Sequence, residues 1–219
     1  MRNKELSPKN STGKLSDFEK ERLKDNGKFM IDRIRHAKKC GIGARYFSKT
    51  FSNFEIRGNG KAIKECKTYC RNFAKNLHEG KGLFLTGTVG TGKTHLIAAI
   101  IDYIARLYKR KYNLLIMYFT STGLLNEIKN SYEDRSSDEL IFNIKHCTLL
   151  AIDDFGAEKT TDWVLETYFE IIDYRYANLL PTIIATNLTD KEIKEKLSER
   201  IMSRIYEVNK GIKLTGKDY

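Results

Sequence analysis

No apolar run in these 219 residues is long enough to cross a bilayer. No apolar segment follows the basic start in the manner of a secretory signal. The expectation is a cytoplasmic protein with no membrane partner. The four cysteines include no CxxC pair, which predicts reduced thiols rather than a disulfide framework. Cys66 and Cys70 lie four apart in a stretch, 61–73, that reads as a helix, and we read them as packing residues. With Cys40 or His78 a zinc site is imaginable, but no cysteine-rich cluster stands behind it. The length suits one core of ordinary size, with nothing that requires a second.

Charge of one sign is also scarce over most of the chain, and concentrated at one end. Residues 1–49 hold 14 Lys+Arg against 6 Asp+Glu, a net of +8, whereas the other 170 hold 25 against 22, a net of +3. Such an arm suits an acidic or nucleic-acid partner, or is a solvated tail. Phe29, Met30 and Ile34 recur within it at helical spacing, as in a short amphipathic helix that docks on a partner.

What the sequence does hold is chemistry. Gly87-Thr88-Val89-Gly90-Thr91-Gly92-Lys93-Thr94 fits G-x-x-x-x-G-K-[ST], the phosphate-binding loop. Its glycines let backbone N–H groups curl round a polyphosphate. Lys93 would reach the β- and γ-phosphates of ATP, and the Thr94 hydroxyl would ligate Mg²⁺. The loop needs a strand before it and a helix after it. Leu83–Leu85 and the run opening at His95 supply both, and the helix N-terminus adds a field favourable to phosphate. The nucleotide-binding set is therefore Gly87 through His95.

Downstream, the apolar run from Cys147 to Ile152 reads as a central parallel strand buried on both faces, and it ends in Asp153-Asp154. Open α/β sheets place ligands at that end of a strand. Asp153 would hold Mg²⁺, and Asp154 would orient the attacking water. A further strand, Pro181 to Thr186, would lie beside the acidic one and bring Asn187 to the γ-phosphate or the water. Arg200 and Arg204, four apart, share a helix face. They either address phosphate, which an arginine can do from a neighbouring subunit, or are solvated partners of Glu195 or Glu199.

These pieces in this order resemble an AAA+ ATPase: Walker A, Walker B, sensor 1 and the box that carries an arginine finger. The stretches Ala157–Val164, Ile171–Tyr176 and Ser198–Arg204, with Cys40–Phe47 and Thr50–Phe54 upstream, resemble bacterial replicative helicase loaders of the DnaC/DnaI type. The resemblance implies an α/β P-loop AAA+ core with a central parallel sheet over 50–219, without a C-terminal lid domain. It is preceded by a basic, mainly helical, helicase-binding arm over 1–49. It further implies ATP hydrolysis with Mg²⁺ at subunit interfaces, stimulated by single-stranded DNA, in a helical oligomer that loads a hexameric helicase. Arg204 is then the finger and Arg200 its support. The helical region 122–132 would face single-stranded DNA through Ser121, Lys129 and Tyr132, with Lys129 on phosphates and Tyr132 either stacking on a base or simply a surface aromatic. Arg135 is ambiguous in the same way. IstB-type helper ATPases of transposition share the core, so a transposase is the alternative partner. A DNA-binding adaptor that holds ATP with negligible turnover is the other alternative.

Overall fold

The computed structural model describes residues 37–108, 114–133 and 137–216. The helix expected around Phe29, Met30 and Ile34, and Arg135, lie outside the described residues.

Among the described residues, five short strands carry the fold: β1 (Gly82–Thr86), β2 (Ile116–Thr120), β3 (Leu149–Asp153), β4 (Thr182–Thr186) and β5 (Asn209–Lys213). They form one parallel sheet in the order β2-β3-β4-β1-β5. Two helices precede β1, α1 (Gly60–Arg71) and α2 (Phe73–His78), and between the strands lie α3 (Lys93–Tyr108), α4 (Ser121–Glu133), α5 (Ser137–His146), α6 (Asp162–Ala177), α7 (Asp190–Lys196) and α8 (Glu199–Val208).

Alternation along each strand divides the core into two layers. Leu83, Leu85, Leu149, Ala151, Ile183 and Ala185 face one side, where they meet α1 and α3. Phe84, Leu150, Ile152 and Ile184 face the other, where α4, α5, α6 and α8 cover them. A strand covered on both faces has no polar position, which is why β3 and β4 read as unbroken apolar runs. The parallel sheet and the placement of β4 beside β3 are as expected.

Local signals set the helix starts. Thr161 accepts from the Val164 N–H at 3.3 Å at the head of α6. Thr189 and Glu192 close a capping box on α7, and Ser198 accepts from the Ile201 N–H at 3.4 Å on α8.

Two expectations need correction. Residues 37–49 do not belong to an appended arm, because Cys40 and Ile42 sit in the core and the Cys40 carbonyl accepts from the Tyr118 N–H of β2 at 2.7 Å. Residues within 37–49 are therefore part of the packed core. Cys147 lies ahead of β3 rather than in it, at the end of α5, where its carbonyl and Sγ meet the Arg175 guanidinium at 2.9 and 3.3 Å. Cys66 and Cys70 pack as expected. Both are fully buried beneath the sheet, and burial pushes the Cys66 thiol up to about 12.

Candidate nucleotide site

The phosphate loop is the turn between β1 and α3. Gly87 cannot carry a side chain, because a Cβ there would stand 2.5 Å from the Leu214 carbonyl oxygen. Gly90 and Gly92 take φ of +77° and +92°, the left-handed region that glycine enters without strain. Lys93 opens α3 almost fully buried, and its ammonium donates to the carbonyls of Gly87 at 2.7 Å and Thr88 at 2.8 Å. Burial lowers its pKa, and the nearby carboxylates of Asp153 and Asp154 oppose the change.

Asp153 ends β3 only 1% exposed. It accepts from the Asp154 N–H at 3.0 Å, from the Tyr118 hydroxyl at 3.2 Å and from the Thr94 hydroxyl. Burial nevertheless raises its pKa. The Thr94 hydroxyl and this carboxylate form an all-oxygen donor pair, the chemistry a hard divalent cation such as Mg²⁺ prefers.

Asp154 turns out of the strand at a φ of +53°. Asn187, one residue past β4, donates from its side-chain amide to Asp154 Oδ1 at 2.8 Å. Because β4 lies between β1 and β3, its end brings Asn187 between the phosphate loop and the acid pair. A cavity of about 590 Å³ runs along this edge and is lined by Gly90, Gly92, Lys93, Thr94, Asp154 and Asn187.

Its opposite wall is Arg45, Tyr46 and Lys49, none of which the sequence reading chose. The only available signal was that Arg45 and Tyr46 fall in the stretch Cys40–Phe47. His95 borders the same cavity, but its ring is committed elsewhere. Nε2 lies 2.9 Å from the Thr50 carbonyl and the ring meets Phe54 edge-on at 4.9 Å. Burial holds its pKa below the ordinary histidine value.

Arg200 and Arg204 line α8, away from this cavity. Neither pairs with Glu195 or Glu199. Arg204 Nε donates to Asp173 of α6, Nη1 donates to the Arg200 carbonyl at 3.1 Å, and the guanidinium lies 4.9 Å from the Phe169 ring centroid. Arg200 reaches the same ring at 5.4 Å.

The three residues expected at DNA separate. Lys129 and Tyr132 are exposed on α4, with the lysine 4.9 Å from the Trp163 ring centroid. Ser121 is fully buried. Its hydroxyl joins Glu158 and Tyr168, and Tyr168 in turn donates to Glu158 at 2.6 Å. Ser121 is thus a joint between α4, α6 and the loop after β3, not a surface contact. Glu158 and Tyr168 were missed, since a joint made by three distant segments leaves no local pattern.

The bacterial DnaA ATPase domain family matches residues 44–213. Among curated relatives, the replicative helicase loader DnaI of Bacillus subtilis is 32% identical over 163 residues, covering 67% of this chain and 51% of DnaI. DnaC of Buchnera aphidicola subsp. Schizaphis graminum is 27% identical over 188 residues, covering 84% of this chain and 72% of DnaC. The chain therefore spans about half the length of DnaI. The crystal structure of a DnaC helicase loader superposes with a TM-score of 0.68 at 29% identity, covering 79% of this chain and all of that one. With the match running from the 3₁₀ turn at Ala44 to the last strand, the chain belongs to the bacterial DnaA ATPase-domain family and carries an AAA+ core of the DnaC/DnaI helicase-loader type.

Proposed function

We propose that this chain binds ATP with Mg²⁺ in the cavity at the end of β1, β3 and β4, hydrolyses it between copies of itself, and uses the cycle to load a hexameric replicative helicase onto single-stranded DNA. The observation that carries the reading is the convergence on one cavity of Lys93 and Thr94 after β1, Asp154 after β3 and Asn187 after β4. Three strand ends far apart in sequence supply one phosphate-handling set.

In this reading the loop N–H groups and the start of α3 surround the β- and γ-phosphates. Lys93 exchanges its contacts with the Gly87 and Thr88 carbonyls for phosphate oxygens. Thr94 and Asp153 hold Mg²⁺, which neutralises phosphate charge when bound. Asn187 occupies Asp154 Oδ1, which leaves Oδ2 to accept a hydrogen bond from water and align its oxygen on the γ-phosphorus. The water oxygen bonds to that phosphorus as the bond from the phosphorus to the β–γ bridging oxygen breaks, the water's proton passes to the phosphate released, and ADP and phosphate leave. Arg204 of the next copy meets the charge that develops. Lys129 and Tyr132 form the DNA face, with the helicase on the arm.

The helicase-loader names of the relatives support the choice of partner. The test measures ATP turnover with and without single-stranded DNA, and capture of the host replicative helicase. Lys93→Ala should lose nucleotide binding, whereas Arg204→Ala should bind nucleotide but lose oligomer-dependent hydrolysis. Turnover without helicase capture would redirect the search to a transposase. Absence of turnover under every condition would leave an ATP-holding adaptor.

A further inference from the structure

Two arginines one turn apart share the Phe169 ring, but only one of them has a carboxylate. Asp173 lies on α6 four residues after Phe169, and Tyr176 follows three residues later on the same face. Arg204 lies across that face. Its Nε donates to Asp173, Nη1 donates to the Arg200 carbonyl at 3.1 Å, and its guanidinium carbon stands 4.9 Å from the Phe169 ring centroid and 5.7 Å from that of Tyr176. Nη2 has no hydrogen-bond partner among the described residues, and the side chain is 27% exposed. The cation is thus held along one edge and over a ring, with Nη2 left without a hydrogen bond among the described residues. Arg200, by contrast, rests on the ring at 5.4 Å and has no carboxylate partner among the described residues.

An exposed ion pair alone contributes little to stability. This one does something a generic pair does not, because it fixes the plane of a guanidinium that would otherwise sample many rotamers. Ordering the fork before it meets phosphate removes that cost from the reaction step. The geometry points to Asp173 as the residue that positions Arg204 for the γ-phosphate of a neighbouring copy, and so makes Arg204, rather than Arg200, the presented cation. This rests on the reading that Arg204 acts across a subunit interface.

The test uses mixtures of two full-length chains. One carries Lys93→Ala and cannot use its own site, so it only lends its α8 face. The other carries Arg204→Ala and lends only its nucleotide site. If Arg204 acts across an interface, each alone is inactive and the mixture recovers turnover. Should Arg204→Ala alone keep full hydrolysis, the underlying reading fails, independently of Asp173.

Given recovery, Asp173→Ala is placed on one chain or the other. On the lending chain it should lower kcat of the mixture by roughly 10- to 100-fold with KM changed less than about twofold. On the site-bearing chain it should change little. Asp173→Asn on the lending chain keeps an oxygen for Nε and should restore most of the rate. An equal loss from either chain would make the residue merely structural, and no loss from either would leave Arg204 unassisted. A rate above wild type with Asp173→Asn would mean that the carboxylate sequesters Arg204. Any of these three outcomes overturns the proposal.

Discussion

His95 and Arg175 show what burial asks of single residues. The native pKa of His95 lies below the ordinary value of 6.5 because burial disfavours the imidazolium. The unfolded chain then binds more protons across the window from 6.5 down to the native value, so stability rises with pH there and is lost as pH falls through it. Replacing His95 with Gln retains a donor for the Thr50 carbonyl but removes the titration. The urea midpoint of the nucleotide-free variant should therefore hold between about pH 7.5 and about pH 5 better than that of wild type. Arg175 is 1% exposed and donates to Thr182 Oγ1 at 2.9 Å and to the carbonyls of Ile144, Lys145, Cys147 and Pro181 at 2.7–3.1 Å. Arg175→Met would strip one charged donor from each of these acceptors at once, and equilibrium unfolding should show a loss of about 3–5 kcal/mol. The residues of the nucleotide site that could be read in advance, Lys93, Thr94, Asp153, Asp154 and Asn187, each stand in a contiguous local motif. Arg45, Tyr46, Lys49, Glu158 and Asp173 could not be, because each is an ordinary charged or aromatic residue until the fold brings its partner.

At the scale of elements, the strands were legible because burial on both faces strips them of polar residues, and the helix faces because their apolar residues recur with the right period. What the pattern did not give was how closely elements approach. Gly82 opens β1 so near its neighbours that a Cβ would stand 1.9 Å from the Thr182 carbonyl oxygen and 2.1 Å from Asn209 Oδ1. Gly82→Ala must push β1 away from β4 or β5, and we expect a loss above about 3 kcal/mol with weakened nucleotide binding, read by thermal unfolding with and without ATP. The joint of Ser121, Glu158 and Tyr168 ties the head of α4 to the loop leaving β3. Ser121→Ala leaves the buried Tyr168 and the half-buried Glu158 each one hydrogen bond short, though still bonded to one another, which should cost about 1–3 kcal/mol in urea unfolding. Its neighbour Lys129 would keep its place on the surface.

For the whole molecule, the correction at residues 37–49 changes how the arm should be removed. Deleting 1–49 takes Cys40 and Ile42 from the core and the Cys40 carbonyl from β2. That truncation should lower stability by about 3 kcal/mol or more, seen as a fall in the thermal midpoint. On the proposed function, deleting 1–36, which spares Cys40 and Ile42, should abolish helicase capture while nucleotide binding persists, read by pull-down and nucleotide titration. Charge composition does not mark this packing, because Cys40 and Ile42 are two apolar residues inside a basic stretch.

The order β2-β3-β4-β1-β5 has a consequence in time. β1 emerges from the ribosome early, yet its two hydrogen-bonding neighbours are β4, from Thr182, and β5, from Asn209. The strand that carries the phosphate loop stays unpaired on both edges while some hundred later residues are synthesised, and it finds its second neighbour only once Asn209–Lys213 has followed. Closing such long loops is slow. Leu83, Phe84 and Leu85 are thus presented to chaperones, or to other nascent chains on the same message, until Thr182–Thr186 has followed, and a ribosome stalled shortly before Asn209 would display a chain whose phosphate-loop strand still has one open edge.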